Sequence, residues 1–299
     1  MKIEEIEKKL IKAGYCPNEN ILYALLTSIT SNRPLLIEGD PGVGKTFLAK
    51  ALAQGLNKPY IRLQMYEGLT SEDILYDYDY QKQLLTLEAI KPKLEEEYEG
   101  LSIKEASKKV LESTDFYGED YLIKRPILRS MLDPKGCILC IDEIDKASED
   151  IEYMLYEFLE DYSITIPQLG TIKSVKKPIV LITSNNYREI SGAMKRICNY
   201  LYIERKTVKE LVEILIAKAK VSEDMAVGIA KCLNVIDNTI IKQPPSVAEA
   251  IEYAKFLKSN KEVTKELALN ALNILVKNYK DASAIKKIVS ENGELIWET

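Results

Sequence analysis

The feature that most constrains this chain is an apolar, strand-like segment that leads into a glycine-rich turn. The segment is Leu35-Leu36-Ile37-Glu38, and the turn is Gly39-Asp40-Pro41-Gly42-Val43-Gly44-Lys45-Thr46. The glycines let the backbone curl so that successive N–H groups point at a polyphosphate, where a Cβ atom would block the approach. We expect Lys45 to reach the terminal phosphates and Thr46 to ligand Mg²⁺, while the following helix, to about Leu56, directs its positive N-terminus at the same anion. This pattern predicts a nucleoside triphosphate site; the alternative is an ordinary strand, turn and helix with chance glycines.

Composition excludes several classes of protein. The 299 residues are 46% hydrophobic, enough for the cores of two compact domains, and no apolar run approaches the roughly 20 residues that cross a bilayer. The charged N-terminus is unlike a signal peptide, so we expect a cytoplasmic protein with no membrane partner. The chain has no histidine. Proton transfer is therefore left to carboxylates, lysine, tyrosine or cysteine.

The net charge of −5 argues against a protein whose main task is to neutralise nucleic-acid phosphates, although a local basic loop is compatible with it. The five scattered cysteines do not indicate a secreted disulfide framework. Cys137 and Cys140 form a C-x-x-C pattern, but residues three apart in a strand face opposite sides. We therefore interpret both as small core residues rather than metal ligands.

Strand and helix patterns alternate through the first two thirds of the chain. Helices are predicted over 2–13 and 19–30, and strands over 34–38, 60–64, 137–142, 178–183 and 200–204. The apolar runs of the last three strands are continuous enough for these strands to be buried on both faces of a parallel sheet. Residues 164–172 alternate around a Pro/Gly tip, which predicts a hairpin. The charged run 91–99 is typical of a solvated helical face.

After Arg205 the pattern is helical only. Capping boxes are predicted at Thr207/Glu210 and Ser246/Glu249, and the helices cover about 208–220, 223–241, 247–258 and 265–277, with a short one near the end. We predict an α/β fold in which a nucleotide-binding αβα core with a parallel sheet, residues 1–205, precedes an all-helical lid domain, residues 206–299.

Two acidic residues stand at the end of the strand predicted over 137–142. This strand carries Asp142 and Glu143 to the carboxyl edge of the sheet, where the glycine-rich turn also opens. We expect Asp142 to hold the Mg²⁺ shell and Glu143 to polarise the water that attacks the γ-phosphate. An ordinary acidic surface turn is the alternative, but the nearby phosphate loop and the lack of histidine favour the catalytic interpretation.

The strand predicted over 178–183 ends in Ser184-Asn185-Asn186 at the same edge. Two interpretations of Asn185 follow: its amide orients the attacking water, or it caps the strand in a turn. Spacing alone does not separate them.

At this point the chain resembles the AAA+ ATPases and, over nearly its whole length, their MoxR family. The resemblance is carried by an ordered set of segments, 62–69, 121–128, 141–147, 164–172, 193–196 and 245–249. It implies the P-loop AAA+ fold, ATP rather than GTP, and Mg²⁺. It also implies that Asn185 is the sensor-1 residue.

The family carries a basic cluster with an arginine finger just before the last strand, which makes Arg196 the candidate here. A finger adds positive charge where the transition state spreads negative charge. Because the finger acts across a subunit boundary in this family, the resemblance implies a homo-oligomeric ring, expected to be a hexamer. On the sequence alone, the simpler alternative is that Lys195 and Arg196 solvate a loop or pair with Glu189.

The chain departs from the family pattern in two places. Many AAA+ proteins have an arginine early in a lid helix, but Ala248 follows Pro245-Ser246-Val247 here, so this sensor 2 is absent. Ile197 stands where similar members often have another arginine. The insertions at 66–90 and 163–172 resemble segments that contact a partner or the ring pore in relatives, with Leu169 as the expected contact; packing features are the alternative.

The resemblance implies an ATP-hydrolysing chaperone that remodels or matures a protein partner. MoxR-type proteins resemble chaperones for metal cofactor insertion, often acting with a von Willebrand factor A domain protein, including partners of molybdenum hydroxylases such as CO dehydrogenase. Two alternatives use the same core. One is a nucleic-acid remodelling motor or loader, and the other is a nucleotide-gated scaffold that does not hydrolyse ATP.

Overall fold

A five-stranded parallel sheet forms the centre of the molecule. The computed structural model describes residues 2–97, 102, 104–105, 109, 115–167, 169–239 and 241–297. The strands in the described residues, of which five form the central sheet, are β1 (Leu35–Gly39), β2 (Tyr60–Gln64), β3 (Tyr76–Tyr78), β4 (Leu122–Lys124), β5 (Ile138–Asp142), β6 (Ser163–Ile166), β7 (Gly170–Lys173), β8 (Ile179–Ser184) and β9 (Asn199–Ile203). The central order is β2-β5-β8-β1-β9, all parallel, which confirms the predicted α/β fold.

Helices cover both faces of this sheet. Those in the first two thirds of the chain are Ile3–Lys12, Glu19–Ser31, Lys45–Leu56, Ser71–Ile74, Tyr80–Glu97, Pro126–Leu132, Glu149–Asp161 and Gly192–Ile197. Ser148 caps the helix Glu149–Asp161, because its side chain accepts a hydrogen bond from the backbone N–H of Ile151. Of the charged run at 91–99, residues 98 and 99 lie outside the described part of the chain.

β5 separates two buried clusters. Cys137, just before the strand, packs on the face covered by the helix Glu149–Asp161, and Cys140 packs on the opposite face with the helix Lys45–Leu56. Both side chains are fully buried. The prediction that these thiols are core residues on opposite faces is confirmed. Burial raises the pKa of Cys137 to about 11 and that of Cys140 to about 12.

Thiol labelling tests this arrangement. Four of the cysteines are buried, and only Cys16 is partly exposed. Because the thiolate is the reactive form, we expect an aromatic disulfide reagent at pH 8 to modify Cys16 alone in the native protein and all five cysteines in guanidinium. Rapid native modification of two or more thiols would contradict this packing. A Cys16→Ser variant, which should show no fast native reaction, is the control.

The last strand differs from the prediction. β9 is an edge strand whose side chains alternate between the core and solvent, with Tyr200 58% and Tyr202 47% exposed. The prediction that this segment is buried on both faces is therefore wrong, whereas it is right for β5 and for nearly all of β8. The cause is strand order, since among the described residues β9 is the last strand of the sheet and pairs with β1 alone.

The chain beyond Arg205 is helical in its described residues, as predicted. Its helices are Val208–Ala219, Glu223–Asp237, Val247–Lys258, Lys265–Asn270, Tyr279–Asn292 and Glu294–Trp297. Both predicted capping boxes are present. Three details differ: the second helix ends earlier than predicted, the fourth is followed by a 3₁₀ turn at Ala271–Ile274, and the helix near the end has 14 residues.

The buried residues of this helical part form their own cluster, which extends from Leu211 to Ile296. A division at 205/206 into the domains 1–205 and 206–299 remains our proposal. Within the described residues, no helix is long and apolar enough to cross a bilayer.

The two insertions contact each other. β3 pairs antiparallel with β4, and β6 pairs antiparallel with β7, so 164–172 is a hairpin as predicted, apart from residue 168, which lies outside the described part of the chain. The Tyr78 hydroxyl donates a hydrogen bond to the Pro167 carbonyl (3.2 Å). Leu169 is half-buried and packs against the core. This packing agrees with the alternative interpretation of the segment, and a partner contact through Leu169 stays a prediction.

Candidate functional site

The glycine-rich turn, residues 39–46, follows β1 and has a backbone that requires glycine. Gly42 has a φ of +84°, and a Cβ atom there would lie 2.4 Å from the Cβ of Ser246. Gly39 has a φ of +152°, and its Cβ would lie 2.4 Å from the carbonyl oxygen of Ile203. The helix Lys45–Leu56 begins directly after Gly44. The turn therefore places backbone N–H groups and a helix N-terminus together, which is the arrangement that binds phosphate.

Lys45 lies folded into this turn. Its ammonium donates to the carbonyls of Gly39 (2.6 Å) and Asp40 (2.9 Å) and to the side-chain oxygen of Asn185 (2.6 Å). Burial lowers the pKa of Lys45, although Asp145, Asp40 and Asp142 oppose this effect. Because the three direct partners are neutral oxygens, the charge is available to a phosphate that replaces one of them.

Asp142 is almost completely buried and fully hydrogen-bonded. Its Oδ1 accepts from the hydroxyls of Thr46 (2.8 Å) and Thr183 (2.5 Å), and its Oδ2 accepts from the guanidinium of Arg62 (2.9 and 2.5 Å). Thr46 and Asp142, the two predicted metal residues, are thus brought together. Their hard oxygen atoms fit Mg²⁺, which prefers few protein ligands and keeps several waters.

Glu143 is held by three donors. Its Oε1 accepts from the amide of Asn185 (3.2 Å), and its Oε2 accepts from the amide of Gln64 (2.8 Å) and the ammonium of Lys146 (2.7 Å). A carboxylate has about four lone-pair directions, so one is left for a water molecule. The hydrogen bond to Glu143 raises the pKa of Lys146, which keeps this lysine charged.

Asn185 connects the two halves of the site. Its side-chain oxygen accepts from Lys45 and its side-chain nitrogen donates to Glu143. The backbone N–H groups of Asn185 and Tyr187 donate to Asp145 Oδ2 (3.1 and 3.0 Å). Asp145 Oδ1 is buried without a hydrogen-bond partner among the described residues. The loop after β8 is therefore fixed in place, and the Asn185 amide faces the centre of the site.

Several of these contacts were missed by sequence reasoning. Arg62 and Gln64 lie on β2, and β2 pairs with β5 so that Gln64 is in register with Asp142. The Thr183 hydroxyl accepts from the N–H of Glu143 (2.9 Å) and donates to Asp142, so it orients both acidic residues. The positive φ of Glu143, +59°, is costly for a non-glycine residue and is held by this contact. No pattern in the sequence indicates that β2 neighbours β5.

The structure does not bring Arg196 to this site. Arg196 is exposed in the last turn of the helix Gly192–Ile197, just before β9 begins. Because the strands are parallel, the start of β9 lies at the opposite edge of the sheet from the phosphate loop. Lys195 contacts Glu189 (3.4 Å), as the alternative interpretation expected for this cluster. Within this chain, Arg196 therefore lies away from the phosphate loop.

Comparison with known proteins identifies the family. Residues 34–198 match the AAA domain of the dynein-related subfamily. No curated protein matches the chain. Similar solved structures include the RuvB Holliday junction branch migration motor of Thermotoga maritima (18% identity, 96% of this chain and 75% of that chain, TM-score 0.48). Two point mutants of that protein also match 96% of this chain and 75% of their own. They are 18% and 19% identical to this chain, and each has a TM-score of 0.49. Because the matched segment is more than half of the sequence, this chain belongs to the AAA domain family, dynein-related subfamily, and is a P-loop ATPase that binds ATP and Mg²⁺.

Proposed function

We propose that this ATPase is a MoxR-type remodelling protein that uses ATP hydrolysis to change the conformation of a protein partner. The observation that carries the hydrolytic part of the proposal is the continuous chain of contacts from Lys45 through Asn185 to Glu143. It places a phosphate-binding cation, a neutral amide and a free carboxylate lone pair around one point. A scaffold that only binds nucleotide has no need of this arrangement.

Each residue has a distinct part in the proposed reaction. Lys45 and the backbone N–H groups of the glycine-rich turn bind the β- and γ-phosphates. Thr46 and Asp142 would hold Mg²⁺, which when bound would neutralise developing charge. Glu143 accepts a proton from a water as its oxygen attacks the γ-phosphorus. The bond from that phosphorus to the bridging oxygen breaks, and ADP and phosphate leave. Asn185 keeps the water and Glu143 aligned.

A ring completes the proposed site. AAA+ proteins typically form oligomeric rings, and Arg196 lies far from the phosphate loop of its own chain. We propose that the Arg196 guanidinium of one subunit stabilises the transition state in the next, in a ring of six. The helical part of the chain is then the lid of the αβα core.

The partner is proposed to be a protein, such as one with a von Willebrand factor A domain. The net charge of −5 supports a protein rather than a nucleic acid, because nucleic-acid binding relies on clustered cations. The contact between the two insertions, through Tyr78 and Pro167, supports a common partner-binding surface that moves as one unit.

The test is phosphate release at concentrations that form rings. We expect turnover to require Mg²⁺, to rise when a von Willebrand factor A domain protein is added, and to be unchanged by duplex DNA at physiological salt. Stimulation by DNA alone would instead indicate a nucleic-acid motor. Background phosphate release with intact ATP binding would indicate a non-hydrolysing scaffold.

Replacing Lys45 tests the binding half of the site. We expect Lys45→Met to weaken binding of MgATP by about 100-fold, because a buried cation that contacts a phosphate contributes roughly 2–5 kcal/mol. Isothermal titration measures this affinity. Lys50→Met, an exposed lysine on the same helix, is the control and should bind normally. Equal affinities of the Lys45→Met and wild-type proteins would exclude Lys45 from phosphate binding.

A further inference from the structure

The cleft between the glycine-rich turn and the helical part of the chain is almost closed. Gly42 approaches Ser246 so closely that an added Cβ would clash. The cavity left beside this contact holds about 30 Å³ and is lined by Pro41, Val43, Leu211, Pro245 and Val247 among others. That volume suits about one water molecule. A nucleoside can therefore occupy this cleft only after the helical part moves away from the turn.

One arginine joins the two sides of the closed cleft. Arg205, just after β9, donates from Nε to Asp40 in the glycine-rich turn (2.8 Å) and from Nη1 to Asp237 in the helix Glu223–Asp237 (2.5 Å). Asp40 also accepts a hydrogen bond from Lys45 through its backbone carbonyl. The bridge therefore connects the helical part, the turn and the phosphate-binding lysine in one series of contacts.

Asp237 is poorly placed unless this bridge forms. It is the last residue of its helix, where the helix dipole disfavours a negative charge. Burial raises the pKa of Asp237, and Arg205 opposes that rise. The pairing with Arg205 therefore stabilises the charge of Asp237 in the closed arrangement.

We propose that Arg205 is a positioning residue that holds the cleft between the glycine-rich turn and the helical part closed, so that nucleotide binding has to release it from Asp40 and Asp237. An arginine at the start of the helix Val247–Lys258, where this chain has Ala248, would contact bound phosphate. Arg205 instead contacts Asp40 in the glycine-rich turn. Occupancy of the phosphate loop is thereby linked to the position of the lid. This inference goes beyond the remodelling function, because it requires only that the chain binds ATP.

The test uses stopped-flow fluorescence of the full chain with Mg²⁺ and a methylanthraniloyl derivative of ATP. In Arg205→Met and in Asp237→Asn, we expect association to be about three- to tenfold faster, because a larger fraction of molecules is open. Dissociation should be nearly unchanged, so binding becomes tighter by the same factor. In the double variant, association should be no faster than in Arg205→Met, because both changes break one bridge.

Lys277→Met is the matched control, since it removes an ion pair, Lys277 with Glu249 (3.1 Å), that lies within the helical part. It should leave both rate constants unchanged. Slower association or weaker binding in Arg205→Met would overturn the proposal, because Arg205 would then contact the nucleotide directly. Unchanged association in the folded Asp237→Asn variant would also overturn it. Neither result depends on hydrolysis or on a protein partner.

Discussion

Substitution of Glu143 by glutamine is expected to lower ATP turnover by about 10²- to 10⁴-fold while nucleotide binding is retained. The glutamine has the same shape, so contacts with Gln64 and Asn185 can partly persist. It lacks the negative charge that accepts a proton from water. Steady-state phosphate release and titration with a fluorescent ATP analogue measure the two quantities separately.

Glu157→Gln is the control for this experiment, because Glu157 is an exposed carboxylate on the helix Glu149–Asp161, away from the site. Its turnover should equal that of the wild type. If Glu143→Gln releases phosphate at the wild-type rate, another group activates the water, and the proposed role of Glu143 is wrong. If the variant loses ATP binding as well, Glu143 acts in binding and not only in the chemical step.

Substitution of Arg196 by alanine is expected to lower turnover by about 10³- to 10⁵-fold, again with ATP binding intact. The reason is that a guanidinium placed against the γ-phosphate stabilises charge that develops only in the transition state. Lys195→Ala is the neighbouring control, because Lys195 contacts Glu189 and is not assigned to the site. It should retain most of the activity.

Mixing two inactive variants tests whether Arg196 acts in another subunit. Arg196→Ala supplies an intact phosphate loop, and Lys45→Met supplies an intact Arg196. In a mixed ring, an interface between the two contains both groups, so we expect the mixture to recover a measurable part of the wild-type rate. A mixture that is no more active than its components would contradict action across a subunit boundary.

Local patterns in the sequence were sufficient for much of the fold. The five strands of the central sheet, the phosphate loop and both capping boxes follow from the spacing of apolar residues, glycines and capping residues within a few positions. The opposite faces of Cys137 and Cys140 follow from strand periodicity alone. The acidic pair could be located because parallel strands place their carboxyl ends at one edge of the sheet.

Other parts of the site depend on which strands are neighbours. Arg62 and Gln64 reach Asp142 and Glu143 only because β2 pairs with β5. Asn185 could have been a simple turn residue, and the tertiary structure places it between Lys45 and Glu143. Strand order also left β9 at an edge, which is why its predicted burial on both faces was wrong.

The sequence by itself determined the elements that bind phosphate, the acidic residues beside them and the two-part succession of α/β and helical segments. Only the tertiary structure decided which side chains meet across β2, β5 and β8, that Arg196 lies away from its own phosphate loop, and that Arg205 joins Asp40 to Asp237. The physical reason is that hydrophobic periodicity and capping act over a few residues, within one element. Contacts between residues that are far apart in sequence depend instead on the packing of the whole chain.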